Sequence, residues 1–310
     1  RAYEEILEKL KRLIFPTLFL SKLEKISWST FNESGSYGKE LLESNLIQDI
    51  KFESFKLIQD NNQNQIVEKI ILFSRSANDK NLEYSIGFFQ DENLNLKPKQ
   101  LPVFCYFPTK ENTNLNFILN APFLLTDSRE GLKRSEKHNI KMIEYLSQLS
   151  ADSLLILRDL KLINSDIFKV IPYKKPEETD LFAPFYYKLK DKFEFEKIIP
   201  SDHDTYTTKA NAYWASAPNL PELFSNEQLS MLMKNENAKW VFTKYGYNNI
   251  MNADSELAYY INSITKSTVL PKNILGLINE NFIENQSIDW LHRLYEYLSE
   301  NKSYQDDVRT

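Results

Sequence analysis

Glycine is scarce in this sequence, with six residues in a chain of 310. Loops that hold nucleotide phosphates rely on clustered glycines, because glycine lets several backbone N–H groups approach the phosphate oxygens. No window of the chain contains such a cluster, and no serine stands in the glycine-framed elbow of hydrolases. The sequence therefore predicts neither a phosphate-binding loop nor a serine nucleophile of that kind.

Cysteine and histidine are also rare. Cys105 is the single cysteine, so the chain cannot form an internal disulfide, and its apolar neighbours predict a small buried hydrophobe. The histidines His138, His203 and His292 are far apart and lack Cys or His neighbours at metal-binding spacing, which argues against zinc. The Asp-His-Asp triplet at 202–204 fits either a solvated turn or an acid–base cluster in a loop.

Long hydrophobic runs and a dominant charge are absent as well. No apolar run approaches the roughly 20 residues that a membrane-spanning helix needs. The formal net charge is −5 and the sequence pI is about 5.5, with both signs mixed along the chain. This balance argues against nucleic-acid binding, which depends on clustered Lys and Arg. Trp240 and Phe242 could be stacking platforms for single-stranded nucleic acid, but core packing or a protein interface explains them better. We therefore predict a cytoplasmic protein that binds neither a membrane nor a nucleic acid.

What the chain does contain is hydrophobic patterning, with 42% apolar residues and a length that suits two domains. Residues 1–173 predict an opening helix, a set of strands and one long helix that starts after Asp127-Ser128 and ends near Leu162. This order predicts an α+β domain in which helices cover an antiparallel or mixed sheet. A loop is expected at 32–38, and strands are expected at 18–28, 47–58, 66–74, 84–90, 103–107 and 115–125, with a short extended segment at 167–173. The buried stripe of the long helix is expected to include Ile140 and Leu160.

The charged segment Lys174–Glu178 contains a proline and is the best candidate for a linker. Beyond it, helical periodicity prevails, so residues 174–310 are predicted to form a mainly helical domain. Short strands near 202–215 and 240–243 are expected to join its helices. The predicted helices lie at 181–194, 226–234, 255–263, 271–284 and 288–300.

Charged residues gather at the ends of two predicted strands within 101–139. Lys110 follows an apolar strand and a proline, so its ammonium group is expected at a sheet edge. A cation in that place could stabilise a phosphoryl group electrostatically. The alternative is an exposed loop lysine beside Glu111.

Arg129 follows Thr126-Asp127-Ser128, a cluster typical of a helix start. Its guanidinium group could hold a phosphate or a carboxylate bidentately. Alternatively, it could pair with Asp127 or Glu130 and stabilise the corner between strand and helix. Asn120 and Asn139 are placed to brace either arrangement.

The same segment carries a family resemblance. The motifs are Phe107-Pro108-Thr109-Lys110, Asn114-Leu115-Asn116-Phe117, Ala121-Pro122-Phe123 and Thr126-Asp127-Ser128-Arg129-Glu130. On these motifs the chain resembles large bacterial proteins related to the amino-terminal repeat of sacsin. Those proteins belong to the GHKL ATPase superfamily, with gyrase, MutL, histidine kinases and the ninety-kilodalton heat-shock chaperone. Similar patterns lie at Leu18–Ile26, at Trp240-Val241 and at Phe282–Trp290.

The resemblance implies a transducer-like fold for residues 1–173, with the tail end of a preceding ATPase domain at 1–30. It also implies a Lys or Arg that reaches the terminal phosphate of ATP from a strand-to-loop element. Lys110 and Arg129 are the candidates for this role as phosphate-sensing cations. The resemblance assigns no catalytic and no metal-binding residue to this chain.

Several parts of the family pattern are missing. Family members bind ATP and magnesium through a helical Glu-Asn pair, an Asp-x-Gly-x-Gly stretch and a glycine-rich lid, and none of these is present. Because the chain also begins at Arg1 and not at Met, we expect an interior piece of a longer protein, downstream of the nucleotide pocket. This piece is expected to bind no cofactor, whereas the parent protein would bind ATP and magnesium.

Two functions follow from these expectations. The first is the transducer and middle portion of a sacsin-like ATPase, which couples nucleotide state to a partner or client domain in a chaperone-like manner. Its partners would be the missing ATPase domain, the carboxyl-terminal remainder of the same chain and a client protein. The alternative is a non-enzymatic protein-interaction scaffold.

Overall fold

The computed structural model describes residues 2–61, 64–77, 82–201 and 205–301. The chain divides into two compact units, one of residues 1–156 and 169–189, the other of residues 157–168 and 190–310. The sequence predicts a single boundary after Tyr173, whereas residues 169–189 belong to the first unit. One reason is that the ring of Phe185 packs against Phe117 of that unit, with centroids 5.8 Å apart.

The first unit contains a mixed sheet that is nine-stranded over its described residues. Its strand order is β1-β2-β3-β4-β5-β9-β7-β8, and β6 pairs with β5. Each pair is antiparallel except β7 with β9. After helix α1 (Ala2–Lys11), the strands are β1 (Lys25–Ser29), β2 (Ser34–Ile47), β3 (Ile50–Asn61), β4 (Asn64–Ala77), β5 (Leu82–Gln90), β6 (Leu96–Lys97), β7 (Pro102–Cys105), β8 (Phe107–Asn112) and β9 (Ile118–Asn120).

One face of this sheet is covered by the segment around Phe15 and Leu18. The Phe15 ring lies 5.4 Å from the Phe89 ring, and Leu18 belongs to the core on that face. The other face is covered by helix α2 (Lys137–Asp159), whose Tyr145 stacks on Tyr84 at 5.5 Å. Burial on both faces explains why the middle strands are continuous apolar runs, such as 70–73.

Helix α2 begins later than predicted. Residues 127–136, expected as its first turns, form turns and an isolated bridge between Leu125 and Leu132. Ile140 and Leu160, predicted on its buried stripe, are exposed. The buried stripe instead includes three serines whose hydroxyls donate to carbonyls three residues earlier, which satisfies them inside the core. These serines are Ser147, Ser150 and Ser153.

The amino-terminal strands also differ from the prediction. The segment 15–24 forms turns, and the strand expected at 18–28 is limited to β1. The predicted loop at 32–38 is instead the start of β2, which pairs with β1 and β3. Gly35 permits this pairing, because a Cβ atom there would lie 2.5 Å from the ring of Trp28.

The second unit combines a small sheet with helices. Over the described residues the sheet has five strands in the order β11-β10-β13-β12-β14, and the pairs β13-β12 and β12-β14 are parallel. The strands are β10 (Ile199–Ser201), β11 (Thr205–Thr207), β12 (Ala212–Ala215), β13 (Lys239–Val241) and β14 (Ser267–Val269). The helices are α3 (Ala183–Phe195), which begins in the first unit, α4 (Asn219–Leu223), α5 (Asn226–Met233), α6 (Tyr247–Ala253), α7 (Ser255–Ile264), α8 (Pro271–Leu275), α9 (Glu280–Glu284) and α10 (Ile288–Glu300).

The helix predicted at 271–284 is interrupted. It ends after Leu275, and a new helix begins with Asn279 as its cap, since the Asn279 side chain accepts a hydrogen bond from the Phe282 N–H at 2.9 Å. The extended segment predicted at 167–173 starts instead with a 3₁₀ helix, Ile167–Lys169. The predicted fold class is confirmed: the protein is α+β, and its carboxyl-terminal part is rich in helix.

Candidate functional site

The two candidate cations of the sequence lie close together in the first unit. The loop after β9 runs beside β8, and the Lys110 N–H donates to the Glu130 carbonyl at 2.6 Å. We call residues 107–112 and 121–136 the strand-end corner. Both candidates belong to it: Arg129 lies in the loop after β9, whereas Lys110 lies within β8 and not beyond a strand end as predicted.

Arg129 lies at the tip of a tight turn and not at a helix start. Its N–H donates to the Thr126 carbonyl at 2.8 Å, and its φ of 58° is in the left-handed region. The side chain is exposed and makes no hydrogen bond or ion pair with any residue that the structure describes. The alternative pairing of Arg129 with Asp127 or Glu130 is therefore not observed.

Lys110 has a partner. Its ammonium lies 2.5 Å from a carboxylate oxygen of Glu130, and both side chains are largely exposed, at 73% and 53%. Exposed ion pairs contribute little because water and salt screen the charges and the side chains lose conformational entropy. The charge of Lys110 is thus balanced locally, whereas that of Arg129 is not.

Glu111 was expected beside Lys110 but has a structural role of its own. Its side chain is 10% exposed and accepts hydrogen bonds from Arg134 Nε at 3.1 Å and from the Leu132 N–H at 3.2 Å. Sequence reasoning missed this pair, because the partners are 23 residues apart. The alternation of side chains along β8 could have revealed it, because successive residues such as Lys110 and Glu111 lie on opposite faces of a strand.

Replacing Lys110 with Ala is expected to change the free energy of unfolding of the first unit by about 0.5 kcal/mol or less. Replacing Glu111 with Ala should cost about 1–3 kcal/mol, because the Leu132 N–H and the Arg134 guanidinium lose their acceptor. Urea unfolding monitored by hydrogen exchange of strands β8 and β9 measures both. A Lys110→Ala cost as large as that of Glu111→Ala would contradict this assignment.

Asn139 stabilises the strand-end corner through hydrogen bonds, which is the bracing role that the sequence analysis considered for it. Its side chain is fully buried, accepts from the Leu124 N–H at 2.8 Å, and donates to the carbonyls of Leu124 at 2.8 Å and Lys133 at 3.0 Å. Asn120 accepts from the Tyr106 N–H at 2.9 Å and so holds Tyr106 in a left-handed conformation. Both amides therefore replace backbone partners that an irregular loop lacks.

Cys105 differs from its prediction. It lies on β7 between β8 and β9, yet its side chain is half-buried and not fully enclosed. Its thiol donates weakly to the Phe123 carbonyl at 3.5 Å, and burial raises the pKa of the thiol. The neutral thiol is thus favoured, which suits a packing residue more than a nucleophile.

A polar cleft of about 410 Å³ lies against the same sheet. Asn120 and Tyr106, which adjoin the corner, line it together with Lys39, which donates to the Leu20 carbonyl at 2.8 Å. Burial lowers the pKa of Lys39. Sequence reasoning missed this residue, since it lies between the predicted loop at 32–38 and the predicted strand at 47–58, where no element was expected.

The remaining candidate residues of the sequence do not add to this site. The triplet 202–204 lies outside the described residues. In the part of the chain that the structure describes, no group of three or more His, Cys, Asp or Glu side chains is placed to hold a metal ion. Trp240 and Phe242, weighed as stacking platforms, are buried in the second unit, so core packing accounts for them.

Comparison with known proteins adds no family. No family model, no curated protein and no solved structure matches this chain. Among the described residues, no helix has both the length and the apolar character needed to cross a membrane. The geometry of the strand-end corner and the sequence motifs within it are therefore the features that bear on function.

Proposed function

We propose that the first unit is the transducer portion of a sacsin-like GHKL ATPase and that Arg129 is its principal phosphate-sensing cation. The observation that carries this proposal is an exposed, unpaired guanidinium on a turn that buried side chains brace. The braces fix the backbone that carries Arg129, and thereby the place from which its guanidinium extends. Such preorganisation is what electrostatic stabilisation of a phosphoryl group requires.

The charges of the corner support this choice of residue. Three of its cations have acidic partners within the corner, and Arg129 does not. The pairs are Lys110 with Glu130, Lys133 with Asp127 at 3.6 Å, and Arg134 with Glu111. With Glu136 the corner has four acids for its four cations, so its net charge is zero, and Arg129 at its tip is the cation without an acidic partner inside the corner.

Lys110 has a secondary role in this proposal. An incoming phosphate would compete with Glu130 for its ammonium, and the exposed pair is weak enough to exchange partners. The nucleotide and magnesium would be bound by a preceding domain of the parent protein. This chain would couple the nucleotide state to a partner or client domain, as in other GHKL proteins.

A specific observation favours the alternative function, a protein-interaction scaffold. The outer half of β2 pairs with β3 alone, so its other edge has no strand partner among the described residues. It carries exposed apolar side chains, and such an edge can accept a strand from another protein. These side chains are Leu41, Leu42, Leu46 and Ile47.

The two functions are distinguished by Arg129→Ala in the parent protein, with its nucleotide-binding domain present. We expect ATP turnover to fall by about 10²–10³-fold, the cost of removing one preorganised charge-stabilising donor. The melting temperature should not change, because the side chain makes no contact that folding needs. Steady-state turnover and a thermal melt of the same preparation measure both.

The matched control is Arg12→Ala, which removes another exposed arginine of the same unit, paired with Glu8 at 3.1 Å. Turnover should be unaffected by it. Normal turnover in both Arg129→Ala and Lys110→Ala would contradict the sensing role and support the scaffold function.

A further inference from the structure

The second unit contains a cavity at the carboxyl ends of its parallel strands. The chain leaves β12 at Ser216, leaves β13 toward Asn248, and leaves β14 at Leu270. Strand β12 lies between β13 and β14. The chain therefore goes from β12 to its neighbour on one side, β13, and then crosses to its neighbour on the other side, β14. In parallel sheets this change of direction opens a crevice beyond the strand ends, where ligands commonly bind.

The observed cavity occupies that crevice. It has a volume of about 230 Å³ and is bounded by the segments that follow all three parallel strands. The Ser216 N–H donates to the Val269 carbonyl at 2.9 Å, and its own carbonyl accepts from the Asn248 N–H at 3.0 Å. These backbone bonds fix the wall, so the cavity is part of the fold.

Gly246 allows the loops to approach this closely. A Cβ atom there would lie 2.9 Å from the Ser216 carbonyl oxygen and 2.8 Å from Pro218. No side chain larger than hydrogen fits without movement of the backbone. The absence of a side chain at Gly246 therefore lets the loop after β13 pack directly against the loop after β12.

Ser216 supplies an observation independent of the topology. It is fully buried and lines the cavity, yet its hydroxyl oxygen makes no hydrogen bond to any described residue. A buried hydroxyl without a partner costs free energy, and native proteins rarely keep one without a use. A ligand in the cavity would supply the missing partner.

The other polar groups of the wall indicate the charge of that ligand. Lys272 provides the one ionised side chain among the residues that line the cavity, and the rest of the wall is neutral. The side-chain amides of Asn219 and Asn248 also line it and make no hydrogen bond to any described residue. Hydroxyl, amide and ammonium donors without an acid suit an anion rich in acceptor oxygens.

We propose that this cavity binds the phosphate group of a small molecule, through Ser216, Asn219, Asn248 and Lys272. The site is separate from the strand-end corner of the first unit, so it does not depend on the function proposed above. A phosphate group fits this wall because its oxygens accept several hydrogen bonds at once, and because one lysine partly balances its charge.

Calorimetry of the 310-residue chain with inorganic phosphate and with glycerol phosphate tests the site, and acetate serves as a carboxylate probe. We expect saturable binding of at least one phosphate probe that Ser216→Ala and Lys272→Ala each weaken about tenfold or more, the effect of losing a hydrogen bond to a charged group. Tighter binding of glycerol phosphate would assign the site to a phosphorylated molecule, and tighter binding of inorganic phosphate to the free ion.

The control is Lys266→Ala, which removes an exposed lysine just before β14, at the amino-terminal end of the parallel strands and so at the end opposite the cavity. It should leave phosphate binding unchanged. No binding of either phosphate probe at millimolar concentration, preferential binding of acetate, or equal loss in Lys266→Ala would each overturn the proposal.

Ser216→Ala also has a stability readout. Because its hydroxyl has no partner, the variant should melt at the same temperature as the parent chain or higher when no phosphate is present. A purely structural serine would lose stability on the same change. A melting temperature several degrees lower would therefore show that the hydroxyl serves the fold, and would overturn its assignment to a ligand.

Discussion

Replacing Asn139 with Ala is expected to lower the free energy of unfolding of the first unit by about 2–4 kcal/mol. The amide is fully buried and makes three hydrogen bonds, one with the Leu124 N–H and two with the carbonyls of Leu124 and Lys133. Removing it takes the hydrogen-bond partner from the Leu124 N–H and the Lys133 carbonyl, whereas the Leu124 carbonyl still accepts from the Lys133 N–H at 3.0 Å.

Urea unfolding followed by hydrogen exchange of peptides from 118–159 measures this loss within the first unit. The control is Asn45→Ala. The Asn45 side chain is exposed, and among the described residues it donates a hydrogen bond to Glu43 alone, at 2.7 Å. That variant should unfold like the parent chain. Equal stability of the Asn139 and Asn45 variants would mean that the corner does not depend on this amide.

A larger loss, about 3–5 kcal/mol, is expected from Trp290→Ala in the second unit. The indole is 2% exposed, donates to the Leu223 carbonyl at 2.7 Å, and contacts the rings of Phe224 and Phe282 edge-on. Its removal creates a large cavity and leaves a buried carbonyl without its donor. Helix α10 should therefore lose its attachment to the core of this unit.

Tyr295→Ala is the matched control, because it removes another aromatic ring from the same helix at a position that is 68% exposed. Its effect on unfolding should be within about 0.5 kcal/mol. Hydrogen exchange of peptides from 267–300 in increasing urea reports both variants. A Trp290→Ala loss below about 1 kcal/mol would contradict the packing described for this helix.

Much of the first sheet could be predicted from the sequence, and the exceptions have a common physical reason. Strands β3, β4 and β5 carry enough apolar residues for local patterns to identify them. Strand β2 has a mostly exposed outer half with no alternation of burial, so its extended conformation comes from pairing with β3. Pairing between distant segments leaves little signal in the strand itself.

The second unit was harder to predict for a different reason. Its strands are three or four residues long, too short to show a period of two. Its helices, by contrast, carry local start signals, such as the capping box formed by Ser225 and Gln228. Helices were therefore predicted well, and short strands were expected near β12 and β13, while β14, the parallel pairing and the cavity at the strand ends were not predicted.

The amino-acid sequence by itself determined the α+β class, the helices with clear caps, and the gathering of Lys110 and Arg129 in one charged segment. These features depend on local patterns, which residues close in the chain encode. Tertiary structure alone decided that Glu130 pairs with Lys110, that the Arg129 side chain has no partner among the described residues, and that Ser216 is buried beside a cavity. Ion pairs and cavities form between segments that are distant along the chain, so their geometry exists only after the chain has folded.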